Sequence, residues 1–364
     1  MDYKARQARL RDITGADVVA IVPGANMVYF TGLHFHLSER PIIALFTADG
    51  DLSLIIPELE VPKLHERPDL EARAFTWRDE DGYTGAFEAA LRDLGLRGGT
   101  LGVDGMTMRV SEWLVFQSLD PTLGVRPVEQ ELVRIRARKM PDEVELMRQA
   151  VKLSEAALDK LLAWVQPGMT ERQIAARLNE ELIAQGSHAN AFEPLVQTGP
   201  NSALPHGTLT DRALQADEFL LIDYGGSVGG YPADITRTFC LGTPTAEMQT
   251  IYDTVLRANE AARAAAKPGV TMSAVDKAAR DVIEAAGYGA NFIHRTGHGL
   301  GLDTHEPIPQ IAAGVQDVLE PGMAFTIEPG IYVPGLGGVR IEENVVVTDD
   351  GLDVLTSYPR QLTR

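Results

Sequence analysis

One stretch of this chain occurs twice. "PGMTERQIAARLNEELIAQG" begins at Pro167 and "PGVTMSAVDKAARDVIEAAG" at Pro268, an offset of 101 residues, with Pro, Gly, Thr and the closing Gly in register. Each copy reads as a turn, a helix capped by threonine (Thr170, Thr271) and a terminating glycine (Gly186, Gly287). The correspondence continues in the same order. "QTGPNSALPHG" brings His206 after Thr198-Gly199, and "RTGHGLGLDTHEP" brings His298 and His305 after Thr296-Gly297. "EFLLIDYGG" then answers to "MAFTIEPGI", and "PADITRTF" to "GVRIEENVVV". Segments that match in one order imply a duplication. The second part of the chain is therefore constrained to two similar halves about a pseudo-twofold axis.

Each half presents an apolar strand that runs into an acid, a glycine-rich reversal, and a return strand bearing a second acid. The acids are Asp223 and Asp234 in the first half, Glu328 and Glu342 in the second. Hairpin pairing can set the two acids of a half side by side on one face. Joining the halves then brings four carboxylates together. Like charges at close range repel too strongly for all four to stay ionised without compensation. Divalent cations are the simplest compensation, with one imidazole, His298, at hand. A carboxylate-rich set with one nitrogen and no thiolate suits manganese and also admits cobalt or zinc. Two such ions sharing a water would lower its pKa and hold it as a nucleophile. A dinucleotide loop is excluded on context: no G-x-G-x-x-G opens a helix after Ile222, and Pro232 with β-branched residues follows instead.

The rest of the chain bounds the class. Its 364 residues suffice for about two domains. A net charge of −18 argues against a nucleic-acid surface. The single cysteine, Cys240, excludes an intrachain disulfide framework and reads as core packing in the strand-like Thr238–Leu241. No run reaches the roughly 18 to 20 apolar residues of a membrane span. The N-terminal segment reads as a charged helix and a short strand without a signal-peptide core, so the cytoplasm is the expected compartment.

Residues 1–130 alternate between strand candidates (Val18–Val22, Pro41–Phe46, Leu52–Ile56, Thr100–Val103) and helical stretches such as Tyr83–Leu94. Met27–Phe30 also reads as strand-like, ahead of the polar loop "TGLHFHLSERP". Near residue 130 the texture changes to a charged connector, and a helix opens at Pro141-Asp142-Glu143. The expected division is 1–130 and 131–364.

Taken together, "LPHG", "DYGGSVGGYPADITRTF", "HRTGHGLGLDTHEP", "TIEPGIY" and "GVRIEENV" resemble the pita-bread metallopeptidase family. That family includes methionine aminopeptidase, Xaa-Pro aminopeptidase and Xaa-Pro dipeptidase (prolidase). The resemblance covers roughly residues 140 to 355, and the region before 130 resembles the α/β N-terminal domain of the proline-specific branch and of creatinase. It implies a creatinase-like α/β domain followed by an α+β pita-bread catalytic domain. It also implies roles for single residues. Asp223 would bind one metal, His298 and Glu328 the other, and Asp234 and Glu342 would bridge them. Glu328 would double as general base. His206 would stabilise the intermediate and pass a proton to the leaving proline nitrogen, while His305, His294 and Arg340 would line the proline side and Tyr231 would shape the site.

Among the activities the resemblance implies, methionine aminopeptidase is disfavoured by the full α/β domain ahead of the catalytic one. The complete ligand set disfavours a non-catalytic binding module. An Xaa-Pro amide lacks an N–H and carries a rigid ring, which gives a dedicated enzyme its chemical reason. Between dipeptidase and aminopeptidase, the loop with His34, His36, Glu39 and Arg40 favours the dipeptidase. In prolidases of the family a charged loop of this kind reaches over the partner subunit's site and limits substrate length. The resemblance thus implies a homodimer acting on Xaa-Pro dipeptides or short proline-containing peptides.

Overall fold

The structure, a computed structural model, describes residues 1–363. The chain forms two compact units, Met1–Arg136 and a second that begins at Ala137. The division falls beyond the expected residue 130 because the helix Glu129–Ala137 runs on through it.

The first unit is built on a mixed sheet of β1 (Val18–Ile21), β2 (Ile43–Thr47), β3 (Leu52–Pro57), β4 (Ala72–Trp77), β5 (Thr100–Val103) and β6 (Gly124–Pro127), in the order β4-β3-β2-β1-β5-β6. The central strands carry the apolar runs that sequence patterning detects. β4 and β6 lie at the edges, and apart from the buried Trp77 their residues are exposed or half-buried, so no apolar run announces them. Met27–Phe30, expected as strand, lies in a helix, Ala25–Thr31. Its side chains are apolar enough for either element, and the brackets decide: Gly24 precedes the helix, and Gly32 ends it in the left-handed region at φ 68°.

The second unit shows the duplication in its connectivity. β7 (Leu195–Thr198), β8 (Phe219–Tyr224), β9 (Ser227–Val228), β10 (Tyr231–Pro232) and β11 (Ile235–Cys240) form the first half. β12 (Gly297–Gly299), β13 (Glu306–Ile311), β14 (Ala324–Ile327), β15 (Gly330–Val333), β16 (Gly337–Arg340), β17 (Glu343–Val347) and β18 (Leu352–Val354) form the second. The sheet order β11-β8-β7 is answered by β17-β14-β12 within β13-β12-β14-β17-β18. In each half a separate two-stranded ribbon makes the reversal, β9–β10 and β15–β16. The first ribbon turns on Gly229-Gly230, both at positive φ (58° and 85°), as a two-residue hairpin requires.

Local contacts repeat as well. Thr170 and Thr271 cap the helices Glu171–Ala184 and Met272–Ala285 through their side chains. Glu171 accepts hydrogen bonds from the amide and hydroxyl of Thr198 (2.9 and 3.1 Å), and Asp276 does the same for Thr296 (3.2 and 2.7 Å).

The two-residue period of the strands sorts each one into two faces. In β8 and β11, Leu220, Ile222, Tyr224, Ile235 and Phe239 join the core beneath the helices Pro141–Trp164 and Glu171–Ala184. In β14 and β17, Phe325, Ile327, Val345 and Val347 join the core beneath Ala246–Ala265 and Met272–Ala285. The alternate residues, Asp223, Thr236, Thr326 and Asn344 among them, point to the other face. That face holds the polar cluster described next.

Candidate metal centre and its cavity

Asp223 pairs with Thr236 across β8 and β11. Asp234 stands two residues before Thr236 and so on the same face, diagonal to Asp223. Its amide donates to Asn344 Oδ1 at 3.0 Å, and Asn344 Nδ2 donates back to its carbonyl. Glu328 and Glu342 flank the last pair of the β14–β17 ladder, Ile327 with Glu343. Their amides donate to the carbonyls of Thr296 (2.8 Å) and Thr236 (3.1 Å). Antiparallel pairing thus sets the two acids of each half close together, although a two-stranded ribbon intervenes in the chain between them. The ribbons displace the chain, and the ladders bring the acids back.

Three overlapping sets could each hold a metal ion: Asp223, Asp234 and Glu342; His298, Glu328 and Glu342; and Asp234, His298 and His305. Within each set one donor atom per residue lies within 4.8 Å of the others. His298 Nε2 lies 3.3 Å from Glu328 Oε1 and 3.5 Å from Asp234 Oδ2, while its Nδ1 meets the Gly299 carbonyl at 3.1 Å. The latter contact assigns the proton to Nδ1 and leaves a lone pair aimed at the carboxylates. Gly297 makes the approach possible, since a Cβ there would stand 1.8 Å from the Thr326 carbonyl oxygen.

Burial sets the electrostatics. It raises the carboxyl pKa values of Asp234 and Glu342 well above the usual range, with their carboxylate neighbours adding to the shift. Glu328 is pushed up to about 7 by burial and by Asp223, against the opposing pull of Arg340. Burial, reinforced by His305, lowers His298 to about 3, so its imidazole is neutral. Two threonines steady the acids: Thr236 Oγ1 donates to Glu342 Oε2 (2.6 Å) and Thr326 Oγ1 to Glu328 Oε1 (3.1 Å).

Around this cluster lies a cavity of about 960 Å³, lined also by His206, His294, His305, Phe192, Leu195 and Arg340. Arg340 is committed inward. Its Nε donates to Thr236 Oγ1 (2.9 Å), Nη1 to Tyr332 Oη (2.9 Å) and Nη2 to Asp223 Oδ2. His294 accepts the Tyr332 hydroxyl at Nε2 (2.8 Å) and donates from Nδ1 to the Arg295 carbonyl (2.7 Å). Burial, then Arg340, lowers its pKa to about 4, consistent with that neutral arrangement. The His305 ring lies against His298, centroids 3.9 Å apart and planes tilted by 54°, so it sits beside the candidate ligands as well as facing the cavity.

The remaining expected residues sit elsewhere. Tyr231 does not line the cavity; it is buried, and its hydroxyl donates to Glu143 Oε1 at 2.8 Å. A place in the glycine-rich motif is no guide to direction, and the residue packs against the helix side of the unit. His36 and Arg40 belong to the first unit, where His36 is exposed and Arg40 holds Asp79 through Nε (2.9 Å) and Nη2 (2.7 Å).

Residues 145–349 match the model of metallopeptidase family M24, and residues 6–138 match the creatinase/prolidase N-terminal domain. This chain belongs to metallopeptidase family M24. It is 38% identical over 369 residues to the probable dipeptidase PepE of Mycobacterium tuberculosis, covering 98% of this chain and 96% of that one. Its fold matches the prolidase of Thermococcus sibiricus with a TM-score of 0.92 at 32% identity, over 100% of this chain and 99% of the other. It matches the X-Pro aminopeptidase of Thermotoga maritima with a TM-score of 0.89 at 31% identity, over 99% and 100%.

An M24 hydrolase implies divalent metal ions, and the donor set fits them. Asp223 Oδ1 is buried without a hydrogen-bond partner, and the His298 lone pair faces carboxylates rather than a donor. Both call for a cation. Thr236, Thr326, Tyr332 and Asn344 escaped the sequence reading. Threonine and tyrosine are common strand residues, and the duplication does not mark them, because Leu221 stands at the counterpart of Thr326 and Asn344 at that of Thr236.

Proposed function

We propose that the chain is an Xaa-Pro dipeptidase working with two divalent ions, manganese by preference. The observation that carries this reading is the convergence of four carboxylates and His298 on one cavity that three further histidines line. The proline preference is supported by the resemblance to prolidases and dipeptidases over the whole chain. Asp223, Asp234, His298, Glu328 and Glu342 would hold the ions, which would supply a water of lowered pKa and polarise the scissile carbonyl.

The chain's own groups then divide the proton work. Glu328 is bonded by Thr326 at Oε1, which leaves Oε2 to take the proton of the attacking water. Bound cations would favour the ionised carboxylate, the form that a general base needs. His206, on an exposed loop at the cavity wall, stabilises the charge that develops on the carbonyl oxygen and delivers a proton to the departing proline nitrogen. Arg340 orients Asp223 from behind.

The same reading takes the enzyme as a homodimer in which the loop of His36 limits substrate length, and sedimentation tests the dimer. The functional test is kcat/KM for Ala-Pro against Ala-Pro-Ala with manganese, where the dipeptide should lead by about 10²-fold. Equal or faster cleavage of the longer peptide would instead establish the Xaa-Pro aminopeptidase, the reading favoured by the similarity to the Thermotoga enzyme.

A further inference from the structure

A free dipeptide carries a carboxylate close to its scissile bond, so a site that prefers it needs a cation within the cavity. Two guanidinium groups line the wall, Arg340 and Arg295. Arg340 cannot serve. Its side chain is 4% exposed, and all three of its nitrogens are bonded to Thr236, Tyr332 and Asp223. Drawing it to a ligand would uncover Asp223 and strip Tyr332 of a donor.

Arg295 stands in the opposite condition. It is half-buried, and among the described residues its guanidinium makes no ion pair and no hydrogen bond. This is so although Glu193 and Asp303 line the same cavity. Its backbone, in contrast, is pinned on both sides. The carbonyl accepts from His294 Nδ1 at 2.7 Å, and the next residue, Thr296, is bonded twice to Asp276. A cation on a fixed base, with its donors unspent in a cavity, is arranged for a ligand.

We infer that Arg295 is the specificity residue that receives a substrate carboxylate, an inference that rests on the peptidase reading above. A planar guanidinium can take a carboxylate through two parallel hydrogen bonds. Two substrate groups share that chemistry: the α-carboxylate at the proline end and the side chain of an acidic first residue. The first is the expected partner, because it is present in every free dipeptide.

The test compares wild type, Arg295→Ala and Arg295→Lys on Ala-Pro, Ala-Pro-amide and Asp-Pro-amide, with manganese. Arg295→Ala should raise KM for Ala-Pro by about 10- to 100-fold with kcat changed little. It should leave Ala-Pro-amide within about twofold, and Arg295→Lys should restore part of the loss. A loss confined to Asp-Pro-amide would support the carboxylate role and assign it to the first side chain. Equal loss on all three substrates, or none on any, would overturn the inference while leaving the peptidase reading intact. Wild-type protein that cleaves none of the three would overturn that reading and this one with it.

Discussion

Thr198 and Thr296 are held alike by an acid from a neighbouring helix, yet the chain leaves them differently. After Thr198 it quits the strand through the turn Gly199–Ala203 and presents His206 on an exposed loop. After Thr296 it continues into β12 and buries His298 inside a ladder. The carboxylates, by contrast, come in equivalent pairs, Asp223 with Glu328 and Asp234 with Glu342. Duplication therefore supplies a symmetric frame of acids, and divergence of one loop supplies two kinds of imidazole. One is buried and fixed in a ladder; the other stands exposed on a loop.

The frame should break at its centre first. Asp234→Asn removes a donor from two of the three candidate sets and should lower hydrolysis by about 10³-fold or more while the protein stays folded. Metal analysis of the variant checks this: both ions retained at wild-type rate would refute the bridging role. The divergent loop should come next. His206→Ala should lower kcat by about 10²–10⁴-fold with metal content unchanged, and a change confined to metal affinity would make His206 a ligand instead.

Glu328→Gln tests the electrostatics with the sign worked out. In metal-stripped protein Glu328 holds its proton up to about pH 7, whereas the unfolded chain releases it near 4.5. The native state thus binds more protons between those values, and its stability falls as pH rises through them. The glutamine variant escapes that cost. It should be more stable than wild type by roughly 3 kcal/mol above pH 7 and no more stable below 4.5. Urea unfolding in chelator at both pH values decides.

The two supporting threonines sharpen the comparison further. Thr326→Val should weaken metal binding or activity by about 10-fold. Thr236→Val should cost more, because Thr236 also accepts from Arg340. Equal effects would mean that the cross-link to Arg340 is idle. The smallest effects belong to the caps. Thr170→Ala and Thr271→Ala should each cost about 1 kcal/mol in thermal unfolding, and Thr170 should cost slightly more because Gln173 completes a reciprocal pair there.

Much of this is legible in the sequence itself. The repeat announced the two halves, and strands ending in acids announced the cluster. His206, His294, His298, His305 and Arg340 do share one cavity. What escaped had no signature of its own. Tyr231 and Tyr332 both lie in the short ribbons beside glycine-rich turns, yet one turns to Glu143 and the other to Arg340 and His294. Period alone cannot say which. The bonds of Arg340 to Asp223, Thr236 and Tyr332 also leave no trace in sequence, because an arginine beside an acid carries no mark of where its donors go. Met27–Phe30 is ambiguous in sequence because four residues are too few to separate a period of two from one of 3.6.

The two-faced strands carry one last implication, for how such a chain can change over time. Substitution at Leu220, Ile222, Phe325 or Ile327 alters only the packing side, but losing a single residue inside β8 would rotate Asp223 into the oil and an isoleucine into the cavity. Insertions and deletions are therefore barred from these strands. They are tolerated instead at the turns, where Gly335 between β15 and β16 has open space around it. Length variation among natural versions of this unit should collect there, while the strands keep time.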